Sequence, residues 1–179
     1  PKVIDTITYS ELRELSYMGA TVLHEDAIFP VRYAKIPINI RNTNRPKDRG
    51  TMIVYSCDDY DPDKVITGIA GKKGFSVINI EKDMMNSEIG FGRKILEILE
   101  NFDVSWEHLP SGIDTMSILI STSAIENKCD KIIAALERAV SPDHISIEHN
   151  ISLLAIVGRG MVKAKGTSAR VLKAIANSD

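Results

Sequence analysis

A shift of 76 residues lays one stretch of this chain on another. Ile78 then falls on Leu154, Ile80 on Ile156, Met85 on Met161, Gly90 on Gly166, Lys94 on Arg170, Ile95 on Val171 and Leu99 on Ile175. Such a repeat means that one supersecondary unit is used twice, and each copy reads strand, loop, glycine, amphipathic helix. In the first copy the helix places Phe91, Ile95, Ile98, Leu99 and Phe102 on one stripe. Two strands are expected next, over 105–109 and 115–121, joined by a turn at Pro110, Ser111 and Gly112. A second helix then carries Ile125, Cys129, Ile132, Ile133, Leu136 and Val140 on one face. The last strand, over 144–149, alternates with Ile145 and Ile147 inward. The first unit is therefore α+β, a ferredoxin-like β-α-β-β-α-β with both helices on one face of an antiparallel sheet. The second copy stops after its first helix, and its other half is expected beyond Asp179.

Upstream of the repeat the pattern changes. Residues 8–19 read as a helix capped by Thr8 or Ser10, with Leu12 and Leu15 on one side and Gly19 as its stop. A second short helix is expected over 25–34. Ile36-Pro37-Ile38-Asn39-Ile40 alternates like a strand, with Pro37 at its edge or start. The polar stretch 42–50 is a loop, and a strand over 51–55 follows it. An acidic run then reads as a linker over 57–64, which divides the chain into 1–56, 65–149 and 150–179. Gly71, Lys72, Lys73 and Gly74 read as a tight turn with solvated lysines rather than a phosphate loop.

Composition narrows the function. With 44% apolar and 26% charged residues, the 179-residue chain fits one or two ordinary globular domains. A net charge of -2 gives no basic field for nucleic acid or a membrane surface. Cys57 and Cys129 are too few for a disulfide framework and read as reduced and packed. No apolar run approaches the roughly 18 residues of a membrane span, so the expected compartment is the cytoplasm. The start at Pro1 and the end just after a helix suggest a fragment. Phosphate-loop, nucleophile-elbow, HExxH and paired CxxC motifs are absent. His144 and His149 fall on opposite faces of a strand, so no shared metal is expected.

The loop 82–92 (KDMMNSEIGFG) is the better candidate for chemistry. It leaves a strand and opens a helix, so unpaired N–H groups and a positive dipole end face it. An α-carboxylate fits there, and Gly90 and Gly92 let a ligand approach the backbone. Met84, Met85 and Phe91 would wall an apolar side chain, while Asp83, Asn86 or Ser87 would meet a cationic tip. Glu107, on the neighbouring strand, would hold an α-amine. The same residues fit a plain structural role, in which Ser87 or Asn86 caps the helix and the methionines fill core gaps.

Several segments together resemble the aspartate kinases. Tyr17-Met18-Gly19-Ala20-Thr21-Val22-Leu23-His24 is similar to that family's GAKVLHP stretch, with Thr21 where relatives carry a nucleotide-approaching lysine. Ile36-Pro37-Ile38, Arg41-Asn42-Thr43 and the run from Pro46 to Thr51 resemble the IPI, RNT and P…GT that follow it. Val65-Ile66-Thr67-Gly68-Ile69-Ala70 is similar to the short strand that opens the regulatory region. Ser111-Gly112-Ile113-Asp114 with Ser117 resembles the SE(V/I)…S region of lysine-sensitive members. Ile156-Val157-Gly158-Arg159-Gly160-Met161 resembles the opening of a second ACT domain.

That resemblance implies a catalytic-domain tail over 1–56, a first ACT domain over 65–149 and the start of a second over 150–179. It implies a transferase that makes 4-phospho-L-aspartate from ATP and L-aspartate with magnesium, opening lysine, threonine and methionine synthesis. The catalytic motifs of that family are not in this chain, so the fragment is expected to be inactive, with no cofactor of its own. The implied role is allosteric. Lysine, or threonine, would bind at Met84, Met85, Ser87, Gly90, Phe91 and Gly92, with Glu107 where relatives have the amine-binding aspartate, at the interface of an ACT homodimer. An ACT-type module of another enzyme or regulator is the alternative, as is a dimerisation unit whose loop binds nothing.

Overall fold

The computed structural model describes residues 3–20, 23, 25–57 and 65–178. Thr21, Val22, His24 and most of the expected linker, 58–64, lie outside the described residues. The chain forms two compact units, one of Pro1–Lys72 with Leu154–Asp179 and one of Lys73–Leu153.

In the first unit, β1 (Thr6–Thr8) leads into α1 (Tyr9–Tyr17), followed by α2 (Glu25–Tyr33), β2 (Ile38–Ile40) and β3 (Thr51–Val54). The sheet order is β1-β3-β2, with β1 parallel and β2 antiparallel to β3. Thr8 starts α1 through a reciprocal capping box. Its hydroxyl accepts from the Glu11 N–H (3.3 Å) while the Glu11 carboxylate accepts from the Thr8 N–H (2.9 Å). Ser10 is not the cap. Pro37 lies just before β2, and the polar loop after it is braced by the Arg41 guanidinium, which donates to the Asp48 carbonyl at 2.9 and 3.0 Å.

The second unit is the expected β-α-β-β-α-β. Its strands are β5 (Trp106–His108), β6 (Thr115–Ser121) and most of β4 (Gly68–Glu81) and β7 (His144–Val157). The helices are α3 (Phe91–Asn101), the single turn α4 (Thr122–Ile125) and α5 (Cys129–Val140). The sheet runs β5-β6-β4-β7, and β6 is antiparallel to both β4 and β5. Opposed pairs Ile78 with Ile118 and Ile80 with Met116 enter one core with Ile95, Leu99, Ile132 and Leu136. Strand residues from one face thus meet both helices, as the two apolar stripes require.

The repeat holds at the level of dihedral angles. Gly90 (φ 82°) and Gly166 (φ 78°) are both left-handed residues that open helices, α3 and α6 (Thr167–Ala176). Each follows a short 3-10 turn, Met85–Ser87 in one copy and Arg159–Val162 in the other. Glycine suits a conformation that a Cβ would strain.

Two expectations are corrected. Residues 71–74 are not a turn; β4 passes straight through them, with the local break confined to Gly74 (φ 92°). The strand expected over 144–149 runs on to Val157, crossing Asn150 (φ 62°). Gly74 and Asn150 are themselves 76 residues apart, and both are residue types that tolerate the left-handed region. Pairing along the two 14-residue strands overrides what the local composition suggests. Among the described residues no helix is long and apolar enough to cross a membrane.

Candidate functional site

The loop between β4 and α3 is anchored by the β5–β6 turn. The Lys82 and Asn86 N–H groups donate to the Asp114 and Ile113 carbonyls (2.9 and 3.1 Å), and the Met84 N–H donates to the Asp114 carboxylate (3.0 Å). The Asp83 N–H donates to the Asp143 carboxylate (2.6 Å). Met84, at φ 60°, is held in a left-handed conformation by this cradle.

Charge is concentrated beside the α3 amino terminus. The Lys82 ammonium donates to the Glu88 carboxylate (2.5 Å) and to the Val140 carbonyl (2.6 Å), and lies 5.7 Å from the centre of the Phe91 ring. Lys94 reaches the other Glu88 oxygen at 2.7 Å. Hydrogen bonds from Lys82 and then Lys94 hold the Glu88 carboxyl below the usual range. Within the described residues no hydrogen bond is made to the Gly92 and Arg93 N–H groups, the open donors of the first helical turn.

The candidate residues divide by position. Met85 and Phe91 are buried in the core, whereas Met84 is 69% exposed. Ile89 (98% exposed) and Ile113 (68% exposed) also face solvent. Ser87 is exposed and donates to Asn86, and neither side chain caps α3. That corrects the capping expectation: the turn at Gly90 aims the chain so that backbone alone opens the helix. A Cβ at Gly92 would make only ordinary contact with Met116 (3.8 Å), so Gly90 is the glycine the geometry demands. Glu107 is half-buried on β5. Its neighbours Trp106 and His108 pair with Ile120 and Leu119, whereas the loop leaves β4 beside Thr115. Four to five residues of strand, roughly 15 Å, separate them within one chain.

The loop offers open N–H donors and exposed apolar side chains, beside two ammonium groups already engaged by Glu88. Among the described residues no three carboxylate, imidazole or thiol side chains converge as a metal-ligand set. Cys57 and Cys129 are free thiols, and burial, then Asp130, pushes the Cys129 thiol up.

A second polar centre was not anticipated from sequence. The Glu11 carboxylate, in the first unit, accepts from the Thr67 hydroxyl (2.6 Å), the Arg159 N–H (3.2 Å) and the Arg159 guanidinium (3.0 Å), besides Thr8. Thr8-x-x-Glu11 is a capping-box signature and could have flagged the glutamate, but not its distant partners. Burial pushes the Glu11 carboxyl up, yet the bonds from Thr67, Thr8 and Arg159 outweigh it and hold the group below the usual range. A depressed folded-state value means that the stabilisation is present above the unfolded value and is lost as pH falls through the folded one. Unfolding midpoints in urea between pH 7 and pH 3 are therefore expected to fall less steeply in Glu11→Gln than in the parent chain.

No protein-family model matches the chain. It is 40% identical over 179 residues to Aspartokinase 3 of Bacillus subtilis, covering 99% of this chain and 39% of that protein. The crystal structure of Clostridium acetobutylicum aspartate kinase superposes with a TM-score of 0.92 at 53% identity, over 100% of this chain and 41% of that one. E. coli aspartokinase III in complex with lysine and aspartate gives a TM-score of 0.70 at 19% identity, covering 99% and 39%. The regulatory subunit of Thermus flavus aspartate kinase gives 0.54 at 16%, covering 63% and 76%. Below 25% identity these last two support the fold alone. An α+β module with the ferredoxin-like ACT fold is the class that these likenesses define. The chain belongs to the aspartokinase family, and it spans about two fifths of the length of the first relative.

Proposed function

We propose that this chain is the effector-sensing part of an aspartokinase, with residues 1–56 the end of the catalytic domain, 57–64 a linker, 65–149 a first ACT domain and 150–179 part of a second. The parent enzyme would be cytoplasmic and transfer the ATP γ-phosphoryl group to the β-carboxylate of L-aspartate with magnesium. The described residues form no magnesium-ligand set, so no step of that transfer is assigned to them. The chain alone is expected to have no kinase activity.

Lysine is the proposed effector. The observation that carries the assignment is the α3 amino terminus, where the Gly92 and Arg93 N–H groups stand open beside Lys82 and Lys94. An α-carboxylate is suited to that field. Exposed Met84 would cover the aliphatic stem, and Asp83 or Ser87 would meet the cationic tip. E. coli aspartokinase III, whose fold this chain matches over 39% of that protein, has been crystallised with lysine and aspartate. The burial of Met85 and Phe91 instead favours a loop that is purely structural. Calorimetric titration of the chain with L-lysine and L-threonine separates the two. Saturable heat with lysine is expected, one equivalent per chain. No heat with either amino acid would leave the loop as a structural and dimerising element.

A further inference from the structure

We propose that Glu11 couples the second repeat to α1, so that the placement of the 157–162 segment sets the state of the α1 amino terminus. One carboxylate does two jobs. Its Oε2 accepts from the Thr8 N–H and hydroxyl, which closes the helix cap, and also from the Arg159 guanidinium. Its Oε1 accepts from the Thr67 hydroxyl and from the Arg159 backbone N–H. Arg159 is thus gripped through both backbone and side chain, 148 residues from its partner.

The surrounding backbone leaves no slack. The Thr67 N–H donates to the Val157 carbonyl (2.8 Å), and a Cβ at Gly158 would stand 2.1 Å from the Val65 carbonyl oxygen. A Cβ at Gly68 would stand 2.8 Å from a Leu15 methyl of α1. The 65–68 segment is therefore wedged against both α1 and the entry to the Arg159–Val162 turn. If Arg159 withdraws, Glu11 keeps its buried charge but loses two of five donors, and the cap that shares its oxygens loosens. Coupling of this kind is a free energy shared between two segments, and it is reciprocal.

The coupling does not depend on whether the 82–92 loop binds anything. Its consequence for catalysis does rest on residues 1–56 being the end of the kinase domain. Amide hydrogen exchange tests the two apart. In Arg159→Met, exchange at the Thr8 and Glu11 amides is expected to rise about tenfold while that of fully buried Ile53 in β3 stays unchanged. Glu11→Gln should raise exchange at the Arg159 amide in return, and Arg159→Lys should restore part of the protection. Thr67→Val, which removes one neutral donor, should give the same pattern at smaller amplitude if Arg159→Met fails to fold. Unchanged α1 amides in a folded Arg159 or Thr67 variant would overturn the proposal, as would a uniform rise that includes Ile53. In the aspartokinase containing this chain, Arg159→Met is further expected to shift the half-inhibiting lysine concentration at least fivefold. Failure of that shift alone would strike the domain assignment, not the coupling.

Discussion

Ile118→Ala is expected to destabilise the second unit by about 2–5 kcal/mol, read from urea denaturation of the variant beside the parent chain. Ile118 is fully buried at the middle of β6, opposite Ile78, in the core that also holds Ile95 and Leu99 from α3 and Ile132 and Leu136 from α5. Truncation opens a void in the core that the sheet shares with both helices. A close-packed interior cannot fill the void by small adjustments. Ile118→Val should cost roughly 0.5–1.5 kcal/mol, since one methylene leaves a smaller hole. Ile113→Ala, on the exposed β5–β6 turn, serves as the control and should cost little. Equal costs at Ile118 and Ile113 would show that Ile118 is not packed in that core.

How much of this was legible in the sequence depended on the range of the interaction concerned. The apolar stripes from Phe91 to Leu99 and from Ile125 to Val140 are local periodicities, and they located α3 and α5, although Ile125 belongs to the separate turn α4 and α5 starts only at Cys129. The 76-residue repeat went further, because Gly90 and Gly166 matched in sequence and in φ. Gly71 to Gly74 misled because glycine and lysine have poor strand propensity, which is a weak local term set against pairing with distant residues. Asn150 sits within β7 for the same reason. At the candidate site the loop and its helix were readable, but the cradle of Asp114 and Asp143 was not. Those carboxylates lie 30 and 60 residues from the N–H groups that they bind. Neither could the sequence say that Met85 turns inward while its neighbour Met84 turns out, since the 3-10 turn at Met85–Ser87 is too short to show a periodicity.

Glu107→Ala is expected to weaken lysine binding by roughly 30-fold or more, the effect of about 2–5 kcal/mol for removing a charged partner from a largely desolvated site. Within one chain, Glu107 stands some four to five residues along the sheet from the loop that it is meant to complete. A carboxylate at that distance, roughly 15 Å, cannot hold the amine of a ligand whose carboxylate sits at the α3 amino terminus. The proposed function then requires that the partner copy of a homodimer supply it. The β5 strand is outermost in the sheet, and Trp106 beside Glu107 is 48% exposed. An edge strand with an exposed aromatic is a surface that a second copy covers well. Lysine affinity should therefore fall as the protein is diluted through its dimer dissociation range, and lysine should tighten the dimer by the same factor. In an aspartokinase that contains this chain and senses lysine as proposed, Glu107→Ala should relieve the inhibition and leave uninhibited turnover near that of the parent, because an effector acts only through its differential affinity for two states. Full lysine affinity in Glu107→Ala would remove the residue from the site. Undiminished affinity in a demonstrably monomeric sample would sink the shared-site geometry, whatever Glu107 contributes.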